Sequence, residues 1–196
     1  VSLPHLERLA REGVVFDQAT TVAPLTLPAH TSLFTGLFPP NHGVRDNSDT
    51  ALTAEHTTLA EVLRARGFHT GPFVSSIVLD PTRGLQQGFD QYQGVPKADP
   101  KSPFPPIRQR QANEVMDDAI RWLDTVGDSR FLLWTHLYDA HRPYDPPEPY
   151  ASTYGHTLYV GEIAFADSQI GRLLQALEQR HVLERTVVVV AGDHGE

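Results

Sequence analysis

The sequence contains no cysteine, which excludes disulfides and thiolate metal sites but does not choose a compartment. It also lacks any apolar run long enough to cross a membrane; the longest, residues 187–191, has the length of one strand. Basic residues are in the minority, 16 Lys plus Arg against 24 Asp plus Glu, and they form no block. That balance excludes the positive surface needed to bind nucleic acid or another polyanion. No secretory leader is visible, and Val1 is not a usual initiator. Internal repeats are absent.

What is present points to an enzyme-sized core. A chain of 196 residues with 40% hydrophobic content can bury one globular unit. Ten histidines supply the side chain most used for metal ligation and proton transfer near neutral pH. Helical and strand patterns alternate. Helices are expected over 4–12, 28–35, 58–66, 109–126 and 158–180, and strands over 14–16, 68–74, 131–137 and 186–191. The spacing Thr58 to Glu61 is that of a capping box, and Gly13, Gly36 and Gly67 fall where helices stop. A stretch over 95–106 with five prolines reads as a loop or lid. The fold class is therefore α/β, with a mostly parallel sheet and helices on both faces. In such sheets ligands gather at the carboxyl ends of the strands.

Three segments carry the chemistry. In the first, Thr26 precedes a helix with Pro28 in its first turn, so its hydroxyl lies at the positive helix end beside free N–H groups. The same position also suits a plain threonine cap. In the second, Asp193 and His194 follow the apolar run directly, with Gly195 allowing close backbone approach. The pair reads either as cation ligands or as a polar loop. In the third, a strand over 131–137 delivers Tyr138, Asp139, His141, Pro143 and Tyr144. His136 lies within the apolar strand and reads as a core histidine, and Asp139 as a turn-forming residue.

Taken together, these segments resemble the sulfatase family of the alkaline phosphatase superfamily. Thr26, Pro28, His30 and Thr35-Gly36 match the sulfatase signature, whose first position is Cys or Ser and whose third is basic. The threonine, with His42-Gly43-Val44, resembles nucleotide pyrophosphatase/phosphodiesterases, which use threonine as nucleophile. The resemblance implies an alkaline phosphatase-like α/β/α sandwich. It also implies a divalent cation (Ca2+, Mn2+ or Zn2+) held by Thr26, Asp193 and His194. His141 would protonate the leaving group. His30 and Asn47 would contact the substrate anion, Asn47 as in phosphonate monoester hydrolases. Glu162 and Asp167 match a family helix beneath the site and read as structural.

The resemblance further implies metal-binding aspartates before residue 1 and site residues after residue 196. Residues 1–196 are then part of a catalytic domain, inactive alone. Departures are equally informative. Thr26 cannot become the formylglycine of sulfatases, His30 replaces an arginine, and Ser75-Ser76 stand where sulfatases carry cationic contacts. These favour a phosphate ester of a small molecule, glycan or lipid over a sulfate ester. A true sulfatase with an unusual nucleophile, a phospho-group transferase and a non-catalytic ligand-binding relative are the alternative readings.

Overall fold

The computed structural model describes residues 1–48, 50–92, 94–95 and 109–195, so most of the proline-rich stretch over 95–106 lies outside the described residues. Among the described residues, seven helices and two strands are arranged in chain order as α1 (Pro4–Glu12), α2 (Thr26–Thr35), α3 (Pro39–His42), α4 (Leu59–Arg64), β1 (His69–Val74), α5 (Ala112–Val126), β2 (Phe131–His136), α6 (Tyr150–Tyr154) and α7 (Leu158–Gln179). Short 3-10 turns cover Ile77–Leu79, Pro81–Arg83 and Leu183–Arg185.

The strands pair in parallel, from His69 opposite Phe131 to Val74 opposite His136. Because side chains alternate along a strand, each face of this sheet collects its own core. Val74 and Trp134 join Leu27 and Phe34 of α2, Ala60 of α4, and Leu79, Leu85 and Phe89. Phe73 and Leu133 face the other way, against Val115, Ala119 and Trp122 of α5. Leu123, Leu177 and Val182 extend that second core to α7. The result is the expected α/β arrangement with helices on both faces. Gly71 in β1 is obligatory: a Cβ there would lie 2.6 Å from the Trp122 ring.

Most expected elements form, with ends shifted by a few residues. The Thr58–Glu61 capping box is present in both directions, and α2 ends at Gly36 with φ 69°, a left-handed conformation that glycine adopts freely. Asp167 is structural, as read. The start of α1 has no side-chain cap of its own, and Asp167 of α7 supplies one by accepting from Leu6 N at 2.8 Å and His5 N at 3.3 Å.

Two expected strands do not form. Val14 and Phe16 are 79% and 78% exposed, and Val187 and Val189 are 89% and 78% exposed. Among the described residues only β1 and β2 pair. β-Branched residues favour a strand only where a ladder partner and a packing surface exist, and no described segment offers either to 14–16 or 186–191. The expectation of strands over 14–16 and 186–191 is thus overturned.

Candidate active site at the start of the second helix

Helix α2 begins two residues earlier than its sequence suggests. Thr26 is its first residue, after Leu25 in extended conformation, instead of lying just outside it. No side chain at the Leu25 cap position satisfies the helix end. Asn47 does so from a distance, its Oδ1 accepting from Leu27 N at 2.9 Å. That bond turns the Asn47 amide so that its NH2 is the end left for another partner.

The hydroxyls of α2 separate into two kinds. Thr31 and Thr35 donate back to the carbonyls of Leu27 and Thr31 at 2.7 Å each, as threonines inside helices do. Thr26, only 4% exposed, instead has its Oγ1 3.2 Å from Nε2 of His194. His194 Nδ1 lies 2.7 Å from the carbonyl of Gly195, so the ring proton sits at Nδ1 and the lone pair at Nε2 faces the Thr26 hydroxyl. Asp193 accepts from His194 N at 3.1 Å through Oδ1, and its Oδ2 lies 3.6 Å from His194 Nε2.

His30, one turn along α2, is 6% exposed and donates from Nδ1 to the Thr26 carbonyl at 2.8 Å. Its ring packs on Trp134 and meets His136 edge-on, with centroids 5.4 and 5.0 Å away. Burial lowers its pKa below the ordinary imidazole value, outweighing the Thr26 carbonyl and Asp193. His30 is therefore neutral near pH 7 and does not offer a substrate anion the positive charge expected at that position.

His136, read from sequence as a satisfied core residue, is not satisfied. It is 7% exposed and its Nδ1 is buried with no partner. Burial, and then the neighbouring His30 and His194, push its pKa well below the usual range. An unpaired buried polar atom costs about 1–3 kcal/mol, so this ring needs an explanation beyond packing. The available signal was its place: His136 is the last residue of β2, at the carboxyl edge of the sheet.

His141 falls elsewhere. It stacks on Tyr138 with centroids 4.2 Å apart, and its Nδ1 lies 2.8 Å from the Arg142 carbonyl. With Asp139, Asp145, Glu162 and Arg110 it lines a cavity of about 200 Å³ that does not include Thr26, Asp193 or His194. Asp139 is not simply a turn residue. Its Oδ1 caps α5 by accepting from Ala112 N at 2.9 Å, and its Oδ2 is buried and unpaired. Burial raises the Asp139 pKa to about 6. Glu162, which accepts from Asp145 N at 2.7 Å, is raised to about 7, again chiefly by burial. Ser75, in the place of a sulfatase cationic contact, is fully buried and donates to the His136 carbonyl at 2.6 Å.

The residues present fit a divalent cation. Thr26 Oγ1, Asp193 Oδ2 and His194 Nε2 are separated by distances of 3.2 and 3.6 Å, close to the roughly 3.4 Å between donors on a small tetrahedral ion. The Thr26 hydroxyl is thus buried at a helix N-terminus, next to an imidazole and a carboxylate.

Comparison with known proteins places the whole assembly. The sequence profile of the sulfatase family matches residues 1–196, and the chain belongs to that family. It is 27% identical to an ulvan-active sulfatase of Formosa agariphila, over all of this chain and 46% of that protein. Its fold superposes on Ps i-CgsB in complex with k-i-k-neocarrahexaose with a TM-score of 0.76, at 19% identity, covering 91% of this chain and 50% of that one. The phosphonate monoester hydrolase of Agrobacterium radiobacter gives a TM-score of 0.75 at 20% identity, covering 94% and 56%. The fold is that of the alkaline phosphatase superfamily, and the chain spans about half the length of the relatives it matches.

Proposed function

We propose that the protein hydrolyses phosphate esters through a covalent threonine intermediate, with Thr26 as nucleophile. The observation that carries this is the Thr26 hydroxyl itself: alone among the threonines of α2 it turns from its helix to a histidine lone pair 3.2 Å away. Its hydrogen points at His194 Nε2, and with a cation held at that nitrogen the hydrogen would leave as a proton to bulk water. Thr26 Oγ then bonds to phosphorus as the bond to the alcohol oxygen breaks. His141 protonates that oxygen, and water cleaves the threonine ester and restores the hydroxyl. The NH2 of Asn47 faces the equatorial oxygens, where charge builds, since Leu27 N is already bonded to Asn47 Oδ1 and Ala29 N to the Leu25 carbonyl. A divalent cation bound among Thr26, Asp193 and His194 would lower the hydroxyl pKa and polarise the ester oxygen.

The cavity beside His141 is the natural receptor for the alcohol part, and its mixed carboxylate, guanidinium and tyrosine lining suits a polyhydroxylated group. The complex of Ps i-CgsB with k-i-k-neocarrahexaose makes a glycan ester the first substrate to try. A sulfate ester is the second reading, favoured by the sulfatase profile over the whole chain and by the ulvan-active relative.

Aryl phosphate, aryl phosphonate and aryl sulfate, offered to the protein with Mn2+, Zn2+ or Ca2+, separate the two readings. Phosphorus esters should turn over faster, and Thr26→Ala should lower that rate by about a thousandfold or more. Faster cleavage of the sulfate, unaffected by Thr26→Ala, would overturn the proposal.

A further inference from the structure

Two imidazoles beside the nucleophile have no part in the reaction described above. His136 closes β2, 7% exposed, with a buried Nδ1 that nothing engages. His30 reaches the same place from α2, its ring edge-on to that of His136. Asp193 approaches from the C-terminal segment, its Oδ2 3.7 Å from His30 Nδ1. One donor atom from each of the three lies within 4.8 Å of the other two. Buried polar atoms in folded proteins are paired almost without exception, so an orphaned imidazole nitrogen facing a second imidazole and a carboxylate marks a missing partner. With the His136 proton on Nε2, an electron-pair acceptor is the partner that satisfies His136 Nδ1, His30 Nε2 and the Asp193 carboxylate at once. His30 is also oriented as a metal-ligating histidine is: Nδ1–H donates to a backbone carbonyl, that of Thr26, which leaves the lone pair on Nε2.

We propose that His30, His136 and Asp193 form a cation site of their own beside the Thr26–His194 pair, built for a borderline ion of the zinc type. Two imidazoles and a carboxylate are the donors such ions prefer, whereas calcium is held by oxygen. Donors bound at roughly 2.0–2.1 Å to a tetrahedral ion lie about 3.4 Å apart, so the three side chains have only a short distance to close. Three protein ligands leave the fourth position open, as in catalytic zinc centres. Asp193 serves both positions: Oδ1 is tied to the His194 amide, and Oδ2 lies between His30 and His194. This names the class of cation for the site. Because binding is what is measured, its failure is distinct from failure of the ester-cleavage reading, which the ester assay decides.

The test is calorimetric titration of the metal-stripped chain with Zn2+ and with Ca2+. Zn2+ is expected to bind at least about tenfold more tightly than Ca2+. His136→Gln should weaken Zn2+ binding by about 100-fold, and His156→Ala, on the exposed surface, should leave it unchanged. Equal Zn2+ affinity in His136→Gln, or a preference for Ca2+, overturns the assignment. Should His136→Gln not fold, the Co2+-loaded native chain decides. Contact-shifted imidazole N–H signals from both His30 and His136 are expected by NMR, and their absence overturns it equally.

Discussion

Two polar clusters flank the carboxyl edge of this sheet, and burial acts on them in opposite chemical directions. Around Thr26 the buried groups are imidazoles, and losing water pushes His30 and His136 towards the uncharged base with a free lone pair. Around His141 they are carboxyls, and the same loss pushes Asp139 to about 6 and Glu162 to about 7, towards the protonated acid. One physical cause, the cost of a charge away from water, thus prepares one cluster to donate electron pairs and the other to hold protons. The proposed mechanism uses both, with the nucleophile and cation at the first cluster and the leaving group beside the second.

The comparison can be broken most sharply beneath the imidazole cluster. Trp134 packs against His30, Phe34, Phe89 and Tyr92 and is 9% exposed. Trp134→Ala should cost about 3–5 kcal/mol, read from urea unfolding, and should free the His30 ring that it supports. A smaller loss would mean that the imidazole cluster does not depend on the core beneath it.

Asp167→Ala should cost about 1–2 kcal/mol, because it removes the acceptor for the Leu6 and His5 amides at the start of α1. Hydrogen exchange at Leu6 is the direct reading, and an unchanged rate would show that α1 is held by packing alone. Asp139→Ala should cost about 1 kcal/mol by uncapping α5, while Asp139→Asn keeps an acceptor for Ala112 N and should cost less. Equal losses would shift the role of Asp139 from its capping oxygen to its charge.

The smallest effect concerns pH. A carboxyl whose folded pKa is raised contributes stability that is complete below its unfolded value and lost as pH rises through the folded value, about 7 for Glu162. Glu162→Gln imitates the protonated form. The variant should therefore match the native chain near pH 4 and gain on it in Tm as pH rises to 8. A difference constant across that range would place the Glu162 proton elsewhere.

Much of this was legible in the residues alone. Helices α1, α4, α5 and α7 announce themselves by periodicity, by the Thr58–Glu61 box and by stopping glycines, which are local rules. Thr26, Asp193 and His194 were legible as a set by resemblance, and the fold brings the Thr26 hydroxyl within hydrogen-bonding distance of His194. Three features were not legible. A strand over 186–191 fits the pattern of β-branched residues, but a ladder needs a partner that no local pattern supplies. His30 was read as a weak cation, because its burial under Trp134 depends on β2, more than a hundred residues away. His136 was read as core because it stands in an apolar strand, and only the meeting of three distant segments shows that its nitrogen is unpaired.

The sequence by itself determined the α/β alternation, the family and the place of the candidate nucleophile, since these rest on spacing along the chain and on side-chain chemistry. Tertiary structure alone decided which hydroxyl meets which imidazole, which groups lose their charge and where the third ligand stands. Those depend on distance and exclusion of water, which are set only when β1 and β2 pair and their two faces are covered.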